Sequence, residues 1–393
     1  MFESNFYTVL TTCPDHGSRN VGDRLIEIRL KALLEREKGD CRFLTLFREA
    51  PLDAHLEEIH ATRAILMPAC PVRDTPMHPG TYRLVDDLTR IRLPMIPVGA
   101  NWNVYPGDAQ SRREVAYSKP TVAFLHHLAG QVDRFSCREF LTQRMLVKHG
   151  IENTCFTGDP AMFHLPYLGR PFRRPTTIER LVFSTPLSPY YTEQALHLLD
   201  RLTELFPAAR RYCAFHLEDL ETSPSGRSEN SAAMTPEVAA KNSRLRHKAR
   251  ELGYEVLNLA GDVAKLAFYE ECDLHVGYEC HAHLYFLGCR LPSVLIAEDA
   301  RGVGFNYTLG AGGFTGFERS ALPRRHGRKT ITSGYCTSID ELATAPPRTD
   351  LDEEVIGFLR EELETGFRRY TGLATFLDET YENGLRPFLQ SLP

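Results

Sequence analysis

A chain of 393 residues, 42% hydrophobic and 25% charged, has the composition of an ordinary globular protein and is too long for one compact core, which predicts two domains. A net charge of −5 excludes any general attraction to nucleic acid or to an anionic membrane, so an anionic ligand has to be held by local groups. Met1 to Leu10 lacks the basic-then-apolar pattern of a targeting segment and no stretch approaches a membrane span, which predicts a cytoplasmic protein with no integral membrane segment.

In chain order, Phe6–Leu10 is rich in β-formers and predicts a strand, followed by a polar loop from Cys13 to Asn20. Ile26, Leu30, Leu33 and Leu34 then recur at helical spacing and predict a helix reaching about Arg36. Ala64–Met67 reads as a strand, Leu84 to Ile91 as a helix and Met95–Gly99 as another strand, an alternation that predicts a parallel sheet wrapped by helices. The basic, proline-bearing stretch Leu168 to Pro175 interrupts it and marks a domain boundary, giving an N-terminal domain over 1–170.

Alternation restarts with a strand at Leu181–Ser184, a helix near Glu193 to Leu205 and a strand at Tyr212–Phe215. Glu221 to Pro236 is polar without apolar period and predicts a loop, either a linker or a lid on the acceptor side. From Cys272 to Ile296 the sequence predicts a compact βαβ unit: strand Asp273–Gly277, helix His283–Leu287, a stop at Gly288 and strand Ser293–Ile296. A second domain over 171–345 is followed by a helical tail over 346–393, in which Ile356, Leu359 and Leu363 share a face that can pack back on the first domain.

Ten scattered cysteines without a CxxC pair read as reduced, mostly buried thiols. Cys272, Cys280 and Cys289 fall near His275, His281 and His283, but no short local pair of the kind zinc sites use is present, so no metal is expected.

Three stretches occupy positions where an open α/β sheet binds ligands. Asn20-Val21-Gly22-Asp23 opens a helix whose first N–H groups and dipole favour an anion, although Asn20 and Asp23 are equally suited to cap it. Ser136-Cys137-Arg138-Glu139 fits a capping box with Ser136 at the N-cap, which would set Arg138 in the first turn to grip a phosphate or carboxylate, or to pair with Glu139 or Asp133. Gly277-Tyr278-Glu279-Cys280-His281-Ala282-His283 leads into a helix. His281 and His283, two residues apart, cannot share a face, so one of them meets a ligand. Beyond it, Glu298-Asp299-Ala300-Arg301-Gly302-Val303-Gly304 supplies two acids, a base and glycines, and reads as a ligand-binding loop.

These motifs, in this order and with Gly158-Asp159-Pro160, Gly288 and Pro292, resemble those of the polysaccharide pyruvyl transferases over most of residues 18–312. The resemblance implies an α/β fold of two Rossmann-like domains facing a central cleft, as in GT-B glycosyltransferases. It implies transfer of the enolpyruvyl group of phosphoenolpyruvate onto a saccharide acceptor, possibly a lipid-linked one, as a ketal, with no metal or organic cofactor. Arg138 and His281 would hold the donor's anionic groups, with Asn20 and Asp23 lining the cleft and His281 and Asp23 catalytic. Where the family pattern has an arginine two residues before the histidine, this chain has Glu279, which cannot bind an anion. Either Arg301, Arg290 or Lys265 compensates, or the glutamate is protonated, or the donor differs. In that last case a sugar nucleotide would place its diphosphate on the loop Arg301 to Gly316 and its hydroxyls on Glu279 or Glu298; a catalytically inactive carbohydrate-binding relative is the third reading.

Overall fold

The computed structural model describes residues 5–14, 18–217, 235–320 and 336–393. Strand β1 (Asn5–Thr11) runs into helix α1 (Val21–Lys38), whose Leu25, Ile26, Leu30, Leu33 and Leu34 form the buried stripe that the sequence spacing requires. Strand β2 (Cys41–Phe47), short helix α2 (Leu56–His60), β3 (Ile65–Pro68), β4 (Pro71–Val72), β5 (Met95–Val98) and β6 (Asn101–Trp102) follow. A parallel sheet of order β2-β1-β3-β5 results, with β4 and β6 paired beyond its carboxyl end. Helices α3 (Ala109–Glu114) and α4 (Lys119–Ala129), strand β7 (Phe135–Cys137), helix α5 (Phe140–Lys148) and strand β8 (Thr154–Phe156) complete this half.

An irregular stretch over 168–179 leads to β9 (Arg180–Ser184), α6 (Thr192–Leu205), β10 (Arg210–Phe215), α7 (Pro236–Glu251), β11 (Glu255–Asn258), β12 (Leu274–Gly277), α8 (Cys280–Gly288), β13 (Ser293–Ala297), α9 (Ala300–Leu309) and β14 (Gly313–Thr315). These strands form a second parallel sheet, β11-β10-β9-β12-β13-β14. Both sheets are doubly wound α/β units of the Rossmann kind. Helix α8 is buried on all sides from His281 to Gly288 because it lies between the second sheet and the first half, and Gly288 approaches so closely that a Cβ there would stand 2.9 Å from the Met162 carbonyl oxygen. After α10 (Ile339–Leu342), the tail of α11 (Leu351–Thr365), α12 (Thr371–Thr380) and α13 (Arg386–Ser391) begins against α6 and ends on α1, where Arg386 and Gln390 hold Glu37 at 3.1 and 2.9 Å.

Two expectations need correction, on residues 84–91 and on the loop after β13. Residues 84–91 form only a 3-10 turn at Leu88–Arg90, because Leu84, at φ +46°, bridges to Pro51 and sinks into the core with extended backbone around it. Ala300 to Leu309 is a helix rather than a glycine loop. Gly302 and Gly304 are there for contact, since a Cβ on Gly302 would lie 2.7 Å from Ala297 Cα and one on Gly304 2.6 Å from the Glu139 carboxyl carbon. Cys272, Cys280 and Cys289 do not gather around His275, His281 and His283; Cys289 meets His164 (3.2 Å), and all ten cysteines are free thiols, seven of them buried. The polar stretch 221–234 lies outside the described residues, and its last two neighbours, Thr235 and Pro236, cap and open α7. No helix among the described residues is long and apolar enough to cross a membrane.

Gly302→Ala tests the packing of α9 on β13. The added methyl meets backbone that cannot withdraw, so the variant should lose roughly 1–3 kcal/mol, read as a lower urea midpoint at unchanged m value.

Candidate functional site

The carboxyl ends of the two sheets face each other, and the chain stitches them there. Val21 N–H donates to the His216 carbonyl (3.2 Å), Gly261 N–H to that of Arg19 (2.7 Å), and Ala300 N–H to that of Val104 (3.0 Å). The first turn of α1 rests on the first turn of α8 so tightly that a Cβ on Gly22 would be 2.0 Å from His281 Nδ1. Asn20 caps α1 by accepting from Gly22 N–H (2.8 Å), and Asp23 accepts from the Ser18 hydroxyl (3.1 Å). Both motifs identified at the two helix starts thus meet at one place.

Arg138 reaches the same place by a different route from the one expected. Ser136 is not an N-cap. It lies in β7 and accepts from Gly99 N–H (2.7 Å), while Glu139 caps α5 through Thr142 N–H (2.9 Å). Arg138 is therefore thrown inward between strand and helix, 2% exposed, with Nη1 donating to Asp159 Oδ2 at 3.2 Å and its guanidinium 4.6 Å from the centre of the Phe305 ring of α9. Its Nε and Nη2 are buried without a hydrogen-bond partner among the described residues, as is His281 Nε2. Three polar nitrogens without a hydrogen-bond partner among the described residues thus share one interior, an exception to the rule that buried polar groups are bonded.

On the facing side, the turn from β12 into α8 is fixed by Gly277, where a Cβ would come within 2.4 Å of Ser184 O and Oγ, and by Ser184 Oγ accepting from Glu279 N–H (3.1 Å). Glu279 is the N-cap residue of α8 and is 4% exposed. Burial, then the nearby charge of Glu298, push its carboxyl up to about 8 against the opposing pull of Arg301 and Lys241. The glutamate therefore stands largely protonated at neutral pH. Burial, followed by Arg138 and Arg301, drives His281 well below its ordinary value, so the imidazole is neutral.

Asp299 caps α9 through Arg301 N–H (2.8 Å) and also grips the Arg301 side chain, with Nη2 at 2.6 Å from Oδ2, leaving that guanidinium 22% exposed in a fixed direction. Burial works against the Arg301 charge, but Asp299 outweighs it and holds the group above its usual value. Of the three cations named as compensating for Glu279, only Arg301 is there: Arg290 pairs with Asp378 and Lys265 donates to the Asn258 carbonyl. Glu298 serves the scaffold. Its two oxygens accept from Leu187 N–H (2.7 Å) and Ser188 N–H (2.8 Å), and burial lifts it to about 7. His283 is a core residue, fully buried with Nδ1 2.7 Å from Ser293 Oγ, which also meets His275.

From the sequence, two participants had no assigned role. Asp159, within Gly158-Asp159-Pro160, is the fully buried partner of Arg138, and the motif signalled it. Lys241 of α7 donates to the Leu187 carbonyl (3.2 Å), and its charge is felt at Glu279 and Glu298; its helical surroundings gave no signal.

No protein-family model and no curated protein matches the chain in sequence. Solved structures do match in fold. The UDP-GlcNAc 2-epimerase of Neisseria meningitidis, bound to UDP-GlcNAc, is 7% identical with a TM-score of 0.51, covering 98% of this chain and 100% of the other. Anabaena HepE, in complex with UDP and glucose, is 13% identical with a TM-score of 0.47, covering 99% and 100%. The protein has the GT-B type of fold, two Rossmann-like domains about a central cleft.

The protonation of Glu279 has a measurable consequence. A carboxyl raised above its unfolded value favours folding below that unfolded value and loses this contribution as pH climbs through the raised one. Relative to the wild type, Glu279→Gln should therefore gain stability between pH 5 and 8, by up to about 1.4 kcal/mol per pH unit. Urea unfolding of both proteins at pH 5, 6.5 and 8 checks this; a difference that does not change with pH would place the Glu279 carboxyl near its ordinary value.

Proposed function

We propose that the protein is a transferase that binds a sugar nucleotide between its two halves and passes the sugar to a hydroxyl of a saccharide. The observation that most supports this reading is the contrast between Arg138, a buried guanidinium with two unused donors, and Glu279, a mostly neutral carboxyl on the opposite wall. Arg138 and the preorganised Arg301 suit a diphosphate, while a protonated carboxyl suits ribose or sugar hydroxyls. Neutral His281 is fit to take the proton of the acceptor hydroxyl, and the two arginines to hold the charge that develops on the departing diphosphate. The likeness in fold to an epimerase bound to UDP-GlcNAc agrees with this donor class.

Pyruvyl transfer from phosphoenolpyruvate is the second reading, favoured by one observation: Asn20–Asp23, Arg138, Asp159 and His281, residues of the ordered motifs, converge on one interior. Its difficulty is Glu279, since phosphoenolpyruvate would bring a carboxylate as well as a phosphate beside a group that adds no positive charge.

Melting temperature with UDP, UDP-glucose, UDP-GlcNAc and phosphoenolpyruvate separates them, because a ligand at a hundred times its Kd stabilises by about 2.7 kcal/mol. The nucleotides should raise it and phosphoenolpyruvate should not; the reverse pattern supports pyruvyl transfer. Arg138→Ala should weaken donor binding by roughly 2–4 kcal/mol.

In a separate measurement, His281→Asn should lower turnover by at least about a hundredfold while His283→Asn, in the core, alters mainly stability. Equal small losses in turnover would remove His281 from the chemistry.

A further inference from the structure

Beside the donor groups lies a second set of polar side chains that the proposed transfer leaves unused. Strands β4 and β6 pair in parallel, Val72 opposite Trp102, and Asn103 N–H donates to the Val72 carbonyl at 3.1 Å. Arg73 and Asn103 therefore leave the same end of this small sheet side by side. The segment that follows is pinned to the start of α9: Val104 accepts from Ala300 N–H, and Gly107, at φ +84°, sits where a Cβ would be 2.2 Å from Ala300 Cα. Arg301, the next residue of α9, is thus brought alongside the Arg73–Asn103 pair.

What these groups lack is a partner. Arg73 Nε and Asn103 Oδ1 are both buried with no hydrogen-bond partner among the described residues, and Asn103 is only 8% exposed. Burial, then the like charges of Arg48 and Arg301, push Arg73 down to about 10, still cationic at neutral pH. Arg48 has its own neighbours, Glu49 at 3.6 Å and the Tyr82 ring at 5.8 Å, whereas among the described residues no acid forms an ion pair with Arg73, which feels Glu49 only at longer range. In a chain with net charge −5, three guanidinium groups drawn together, of which Arg73 has no ion pair among the described residues, are a local device for an anion. The unused Asn103 oxygen beside them accepts hydrogen bonds and so calls for a hydroxyl.

We propose that Arg73, Asn103 and Arg301 form an acceptor subsite that takes a saccharide bearing an anionic group, a phosphate ester or a uronate carboxylate. The proposal deepens the transferase reading and rests on it. Arg301 lies between the two subsites, with its Asp299-held guanidinium serving the donor side and its charge felt at Arg73. Donor and acceptor would then approach His281 with both anionic ends anchored, which fixes the attacking hydroxyl.

The test is calorimetric titration of the full chain, saturated with UDP, with glucose 6-phosphate, glucuronate and neutral glucose. At least one charged sugar should bind more tightly than glucose, with an affinity that falls as salt rises. Arg73→Ala should weaken it at least about tenfold, with Arg73→Lys intermediate. Equal binding of charged and neutral sugars, or undiminished binding by folded Arg73→Ala, overturns the subsite. Displacement of the charged sugars by UDP assigns the cations to the donor and overturns it too. The donor reading is judged separately by the melting shift with UDP-glucose in wild type, so each can fail alone.

Discussion

The contact on which the site depends is the one between the first turns of α1 and α8, where Gly22 has no side chain to hold the halves apart. Any Cβ at that position would occupy the space of the His281 ring. Because both helices begin at strand carboxyl ends, their positive dipole ends converge there as well, and Arg138 and Arg301 add formal charge to that field. Close packing and anion affinity thus arise from a single geometric fact. Two helices point their amino ends at the same small volume.

Such a concentration of positive potential needs internal balance when no ligand is bound, and the acids around it divide that task. Asp159 is spent on Arg138 and Asp299 on Arg301, each leaving part of its guanidinium free. Glu298 and Lys241 instead grip the same backbone turn, Pro186–Ser188, from opposite chemical sides, one through its N–H groups and the other through its carbonyls. Glu279 is the member with no side-chain hydrogen-bond partner among the described residues, and burial favours its neutral form.

Where local pattern was strong, sequence and structure agree: the apolar stripe of α1, the strands at Phe6–Leu10 and Leu181–Ser184, and the βαβ unit around α8 all follow from side-chain periodicity. The edge strand β2 escaped because its residues are half-exposed on both faces and show no clean alternation. Leu84, Val85, Leu88 and Ile91 fit a helical template, yet a backbone bridge to Pro51 decides their conformation. The capping-box spacing at Ser136–Glu139 was coincidental, since pairing with β8 claims Ser136 and Cys137 for a strand. At the site, the two histidines at i and i+2 point apart, His283 onto Ser293 and His281 onto the first turn of α1. Arg73 and Lys241 were not legible, because what distinguishes them is company from distant parts of the chain.

Helix α1 carries a further consequence through its two ends. Its first turn abuts His281, and its last holds the tail, where Glu37 accepts from Tyr381 (2.5 Å), Arg386 and Gln390. Over 18 residues such a helix spans about 27 Å and moves as one body. The chain also passes between the halves twice, once over 168–179 and again through the tail, whose α11 packs on α6 and whose α13 packs on α1. One helix thus joins the turn that carries His281 to the tail helices about 27 Å away, so the tail packs on the same rigid element that shapes the site.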